Sequence, residues 1–187
     1  MTKVCNYEMR ERHEMKKTTE KQGFTLVELL VVIAILGILM AMMVPAAGLI
    51  MKRAKIANTK SDAGVVASVM QKYWMEYNRW PSPYKSSGTG ETDSDWVEMM
   101  APKPDTRPKD NFKCIILFES GGGALNAAGA FVDPWGHPFR FRLDLDGSKE
   151  MDNPSGSNDK LRLQTLAWSA GPDGDYETWE DNVKSWE

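Results

Sequence analysis

The chain has 187 residues, 42% of them hydrophobic and 26% charged, with a formal net charge of −3. That is enough for one modest domain with accessory segments. No basic face or basic–aromatic alternation stands out, which argues against a nucleic-acid binder. The two histidines and two cysteines have neither zinc spacing nor a place in a Ser-His-Asp set, so an enzyme is not expected.

Residues 1–22 are polar and mixed in charge, with no apolar core of their own. Up to Gly23 the chain holds six Lys/Arg and four Asp/Glu, which leaves 17 and 22 beyond it, a net of −5. An ordinary secretory signal places its apolar run before the cleavage point. Here the small residue Gly23 precedes the run, so a cut there leaves the apolar helix on the mature protein. From Phe24 to Val44 there are 21 residues and one charge, Glu28. At about 1.5 Å per residue that helix is roughly 31 Å long, enough to cross a bilayer's hydrocarbon core. A carboxylate inside such a span is costly, which makes Glu28 a functional candidate.

Pro45 follows within what still reads as helix, a residue that membrane helices tolerate better than soluble ones. Beyond it Val66, Met70, Tyr73 and Tyr77 fall at i, i+4, i+7 and i+11 with polar residues between, an amphipathic continuation. Arg79-Trp80-Pro81-Ser82-Pro83 ends it. The segments are thus a leader over 1–23, a transmembrane and assembly helix over 24–44, its amphipathic continuation over 45–81, and a globular β-domain over 82–187. Lysines and arginines flank the span on both sides (Lys16, Lys17 and Lys21 before it, Lys52, Arg53, Lys55 and Lys60 after it), so charge counting leaves the orientation open.

Residues 82–130 read as loop, with a short helix near Asp95–Ala101 and a short strand or helix around Phe112–Glu119. Gly121-Gly122-Gly123 reads as a flexible break, since no Gly-Lys-Ser/Thr follows to make a phosphate loop. Asp133-Pro134-Trp135-Gly136 fits a type I turn. Phe139, Phe141, Leu143 and Leu145 then alternate with Arg140, Arg142 and Asp144, a half-buried strand. A second strand is expected over Leu161–Trp168, giving an antiparallel pair extended by a third strand and packed on the helix. The tail is acidic: Asp173, Asp175, Glu177, Glu180 and Asp181 supply hard oxygens of the kind that Ca²⁺ takes, without EF-hand spacing. His137 is expected to cap or pack within its turn. Trp135, Trp168, Trp179 and Trp186 are expected as anchors, and Cys114, alone once the leader is gone, as a small buried hydrophobe.

Gly23-Phe24-Thr25-Leu26-Val27-Glu28-Leu29, with its Lys-Gln-Gly leader end and Pro45, resembles the cleavage and methylation motif of type IV prepilins and type II secretion pseudopilins. The resemblance implies a cut after Gly23 by a prepilin peptidase and N-methylation of Phe24. It also implies a single pass through the bacterial inner membrane with the globular part in the periplasm. Glu28 then partners the new Phe24 amine, its own or a neighbour's, because a pair is far cheaper in hydrocarbon than either charge alone. Partners are further copies in a helical fibre, an inner-membrane assembly platform and minor pseudopilins. Asp133-Pro134-Trp135-Gly136-His137-Pro138-Phe139 and Ser169-Ala170-Gly171-Pro172-Asp173-Gly174 are similar to segments of the major pseudopilin, the second of which opens a calcium loop. That likeness places Asp173, Glu180 and Asp181 as side-chain ligands, with Ser169 and Ala170 carbonyls, and Asp175, as further candidates. Glu180 stands where Asp is usual, and Asp175-Tyr176 replaces a Gly-Gly. The expected fold is α+β, a long N-terminal helix packed on a small antiparallel sheet. Alternative readings are a type IV pilin or minor pilin serving adhesion, motility or DNA uptake, and a single-span anchored protein that binds a ligand by itself.

Overall fold

The structure, a computed structural model, describes residues 23–120 and 124–186, with the backbone alone for 42–47 and 124. The leader before Gly23 and the Gly121-Gly122-Gly123 break lie outside the described residues, as does the side chain of Pro45. Helix α1 runs Leu26–Tyr77, and the chain divides into two compact units, Met1–Ala46 and Ala47–Glu187. In the first unit the described apolar side chains of α1 are exposed, Leu26 at 80% and Met40 at 64% among them. Among the described residues no helix is long and apolar enough to cross a membrane. Of the apolar run from Phe24 to Val44, the side chains are described as far as Ala41.

In the second unit α1 buries the stripe that its periodicity dictates. Val66, Met70 and Tyr73 are fully buried, joined by Ala63, Ala67 and Val69, while Tyr77 is half-buried. Asn78 ends the helix in the left-handed region (φ 50°), its amide bonding back to the Trp74 carbonyl at 2.7 Å. Asn tolerates that conformation, so α1 stops two residues before Arg79 and three before the expected Trp80-Pro81 break. A short 3₁₀ turn, Ser82–Tyr84, leads into β1 (Thr89–Glu91). Helix α2 (Ser94–Met100) follows, capped by the Asp93 carboxylate, which accepts from the Trp96 amide at 2.8 Å.

The main sheet has four antiparallel strands in the order β1, β4 (Arg140–Leu143), β7 (Thr165–Ser169), β8 (Val183–Lys184). Two small hairpins accompany it: β2 (Ala124–Leu125) with β3 (Phe131–Val132), and β5 (Met151–Asp152) with β6 (Lys160–Leu161). Strand β4 alternates as its sequence demands, Phe141 and Leu143 buried and Arg140 and Arg142 half-buried. Phe141 pairs with Ala167 on the face that joins the core of α1, together with Trp96, Phe118, Phe131 and Phe139.

Four expectations differ from the structure: those for Leu161–Trp168, Leu145, 112–119 and Cys114. The strand expected over Leu161–Trp168 is two elements, because Leu161 pairs with Met151 in the β5–β6 hairpin and the sheet is rejoined only at Thr165. Strand β7 shows no alternation, all five residues being buried, since the tail covers the face turned away from α1. Leu145 is exposed, because the chain turns away after Asp144, whose buried carboxylate accepts from the Gly147 and Lys149 amides. Residues 112–119 form no regular element. Buried Asn111 holds them instead, donating to the Met99 and Ile115 carbonyls and accepting from the Ile115 amide, while Leu117 and Phe118 bond the Met100 carbonyl. Cys114, expected to be buried, is exposed, at a turn closed by its amide on the Asn111 carbonyl.

Candidate functional site

The N-terminal junction is built around a reciprocal cap. The Thr25 amide and hydroxyl both donate to Glu28 Oε2, at 2.9 and 2.7 Å, and the Glu28 amide donates back to Thr25 Oγ1 at 3.2 Å. This is a capping box, in which Thr at the cap and Glu three residues on satisfy each other's free helix-end amides. Among the described residues, nothing beyond its chain neighbours lies within 4 Å of a would-be Gly23 Cβ, and Phe24 is 77% exposed. A cut between the two would place a new amine one residue before Thr25, next to the turn that already holds the Glu28 carboxylate.

The second region joins the two C-terminal segments singled out in the sequence. Asp133 is buried, and its Oδ1 accepts from the Trp135 and His137 amides, each at 2.9 Å. The turn closes with the Gly136 amide on the Asp133 carbonyl at 3.0 Å. Asp133 Oδ2 accepts from the Ser169 hydroxyl at 2.5 Å, and Ser169 Oγ in turn accepts from the Gly171 amide at 3.0 Å. The turn and the Ser169–Gly174 segment are therefore one hydrogen-bonded body across 36 positions of sequence. His137 packs in it as expected: a Cβ on Gly174 would come within 2.7 Å of His137 Nε2, and His137 Nδ1 lies 3.8 Å from Asp133 Oδ1.

Beyond Gly171 the tail folds over the outer face of the sheet. Trp168 meets Trp179 and Trp186 at 5.6 and 6.2 Å between ring centres. Arg140 lies 3.8 Å over the Tyr176 ring, bonds Glu91 at 2.9 Å and reaches Glu177 at 3.6 Å. The Tyr176 hydroxyl donates to the Pro138 carbonyl, and burial pushes the phenol well above its ordinary value. These contacts fasten the loop from Pro172 to Asp181 at its middle.

The candidate ligands are placed unevenly. Asp173 is exposed, and both its oxygens are engaged, Oδ1 by the Asp175 amide at 2.9 Å and Oδ2 by the Thr178 hydroxyl at 2.6 Å. The Thr178 hydroxyl first, and the Asp175 amide next, hold its carboxyl below the usual range. Glu180 is exposed and Asp181 half-buried. Among the described residues no group of three or more His, Cys, Asp or Glu side chains is placed to hold a metal ion, so Asp173, Glu180 and Asp181 do not converge as a trio. Asp181 does meet Gly171. A Cβ on Gly171 would lie 2.5 Å from the Asp181 carbonyl oxygen and 3.2 Å from its Oδ2, and Gly171 takes φ 72°, so only glycine fits. Sequence reasoning missed Asn182. It is buried, its Nδ2 donates to the Tyr176 carbonyl at 3.0 Å, and its Oδ1 is buried with no hydrogen-bond partner. The carboxylates of the loop and the unmet Asn182 Oδ1 are hard oxygens, which fit a hard cation in chemistry, although the His137 imidazole also abuts the loop at Gly174.

Comparison with known proteins agrees with this layout. Residues 19–44 match the family described as the prokaryotic N-terminal methylation motif. The chain is 30% identical over 122 residues to the type II secretion system core protein G of Pseudomonas aeruginosa, covering 65% of this chain and 73% of that protein. The protein of the same name from Escherichia coli is 27% identical over 176 residues, 92% of this chain and 95% of the relative. The type IV major pilin protein PilE1 of Neisseria gonorrhoeae is 36% identical over 77 residues, 41% of this chain and 47% of the pilin. No solved structure matches the chain. With the core protein G likeness running through the helix and the β-domain alike, the chain belongs to the family of the type II secretion system core protein G.

Proposed function

We propose that the chain is a structural subunit of the fibre of a type II protein secretion system, made as a prepilin and assembled through α1. The observation that carries the reading is the Thr25–Glu28 capping box at the head of an apolar helix whose described side chains in the first unit are exposed. An apolar stripe left open to this degree needs lipid or further copies of the chain to cover it. A single pass in the bacterial inner membrane, with the β-domain in the periplasm, is its position before assembly. A prepilin peptidase cuts between Gly23 and Phe24 and methylates Phe24. The Glu28 carboxylate then partners a Phe24 amine, its own or a neighbour's, and Pro45 lets the helix adjust as it leaves the bilayer. The role is structural, with no catalytic step, and the other partners are an inner-membrane assembly platform and minor pseudopilins. The pilin relative, matched over less than half its length, favours this reading less than core protein G does.

Calcium is the cation proposed for the tail loop. Asp173, Glu180 and Asp181 would be the side-chain ligands, with the Ser169 and Ala170 carbonyls and Asp175 as further ones, after a loop rearrangement that brings them together. The ion would supply cross-linking of a segment that has few apolar contacts of its own.

Mass spectrometry of the mature protein from membranes tests the first part. An N-terminus of methylated Phe24 is expected, and a chain still beginning before Gly23 in assembling cells would defeat it. For the loop, chelation should lower the melting temperature of the full chain in detergent by several degrees, and an unchanged melt would remove the calcium assignment.

A further inference from the structure

After Glu28 the sequence carries no charge from Leu29 to Met51, and Lys52, Arg53 and Lys55 follow at once. Lys60 comes next, and the first carboxylate after Glu28 is Asp62. Of the charges beyond Gly23, setting aside these four cations and Glu28 leaves 13 Lys/Arg and 21 Asp/Glu over 62–187, a net of −8. The basic stretch is thus set apart from an acidic domain. In the structure every residue of α1 from Gly48 to Asn58 is exposed, Leu49, Ile50 and Met51 included, and burial against the β-domain starts at Thr59. Lys52, Arg53 and Lys55 are three exposed cations within about one turn of helix. Among the described residues none of them is paired with a carboxylate.

Their place in the sequence says what they meet. The uncharged run from Leu29 to Met51 is, as helix, roughly 35 Å long, close to the thickness of a bilayer's hydrocarbon core. Met51 ends it, so in the inserted chain Lys52, Arg53 and Lys55 emerge at headgroup level on the side of the β-domain. Lysine and arginine there work against insertion in that direction, because an excess of them marks the side that is not translocated. Three kept unpaired at that level need another use. We propose that Lys52, Arg53 and Lys55 form a basic collar that binds the headgroups of anionic phospholipids in the leaflet facing the β-domain. The collar sets the depth at which the subunit waits, and its contacts are broken when the helix leaves the bilayer. Lys60 lies about 12 Å along the helix from Lys52, past the ~8 Å screening length of physiological salt, and is not part of it. The acidic surface of a neighbouring copy is the other anionic partner at hand. It bears no fixed relation to the end of the uncharged run, whereas the headgroups do. The inference rests on the membrane-anchored reading of α1.

The full chain is reconstituted in phosphatidylcholine vesicles that carry a trace of spin-labelled phosphatidylglycerol or of spin-labelled phosphatidylcholine. The fraction of each label immobilised at the protein gives its relative affinity. A chain that fails to float with the vesicles at high salt would defeat the membrane-anchored reading, and the collar with it. Given flotation, the wild type should prefer phosphatidylglycerol on the order of fivefold, the factor that one cation near an anionic surface supplies. The triple variant Lys52→Gln, Arg53→Gln, Lys55→Gln should lose that preference, and Lys60→Gln should keep it. The leader's lysines are the same in all these chains, so the difference belongs to the collar. The substituted side chains are exposed, and a melting temperature equal to wild type is expected. If the triple variant does not fold, the three single variants decide, each lowering the preference part-way. No preference in the wild type, a wild-type preference in the variants, or a loss just as large from Lys60→Gln would each overturn the collar. A fall in fibre yield from a variant that keeps its lipid preference would pass the cations to the acidic surface of a neighbouring copy.

Discussion

Gly90 shows how tightly β1 is seated between the 3₁₀ turn and β4. A Cβ at this position would lie 2.5 Å from Phe141 Cζ and from Tyr84 Cε1. Both are ring atoms of buried side chains, packed edge to face at 4.9 Å, so neither can step aside as a flexible chain end would. Gly90→Ala should therefore destabilise the full chain by about 1–3 kcal/mol, seen as a lower melting temperature in detergent. A melt equal to wild type would mean that β1 is not seated on the sheet as described. At this scale the sequence is legible where chemistry is local. The Asp133–Gly136 turn and the packed His137 follow from residue types at fixed offsets. Asn182 and Asn111 were not legible, because a buried amide announces nothing in sequence and takes its meaning from carbonyls brought to it by the fold.

Among the elements, the amphipathic stripe of α1 and the alternation of β4 could be read directly, since each has one covered face and a fixed period. Strand β7 could not, because tail and helix bury both its faces and erase the alternation. Residues 112–119 failed for a different reason: their backbone groups are met by a side chain instead of a ladder. Asn111 donates to Met99 O at 2.7 Å and Ile115 O at 2.8 Å, and accepts from the Ile115 amide at 3.0 Å. With the Leu117 and Phe118 amides on the Met100 carbonyl, it fastens the end of α2 to the segment that delivers Phe118 into the core, against Trp96 and Phe131. Asn111→Ala would leave those buried carbonyls unmet, a loss on the order of 3 kcal/mol. Limited proteolysis should then cut first within 112–119, and a variant as resistant as wild type would show that Phe118 holds the segment unaided.

For the molecule as a whole, the question is what Glu28 contributes to assembly, since it has two chemistries available. As a cap it accepts from the Thr25 amide and hydroxyl, which needs only an oxygen at that place. As a partner for a methylated Phe24 amine it needs a negative charge. Glu28→Gln separates the two, because the amide oxygen preserves the cap while the charge is gone. Glu28→Ala removes both, with the cap worth roughly 1 kcal/mol of helix stability. A helix of this apolarity tolerates that loss, so both variants should remain inserted in the membrane and be processed at Gly23. If charge pairing sets the register of neighbouring subunits, both should fail to form fibres, and to nearly the same extent. If the cap is what matters, Glu28→Gln should assemble normally and Glu28→Ala should not. Sheared-fibre yield against membrane content in the same cells measures this, and normal fibres from Glu28→Gln would defeat the pairing role while leaving the fibre subunit itself intact. The distinction matters because an uncompensated carboxylate in hydrocarbon is costly. In the paired reading that cost is offset only when a terminal amine arrives, so a chain whose amine has not been freed by cleavage is held out of the fibre.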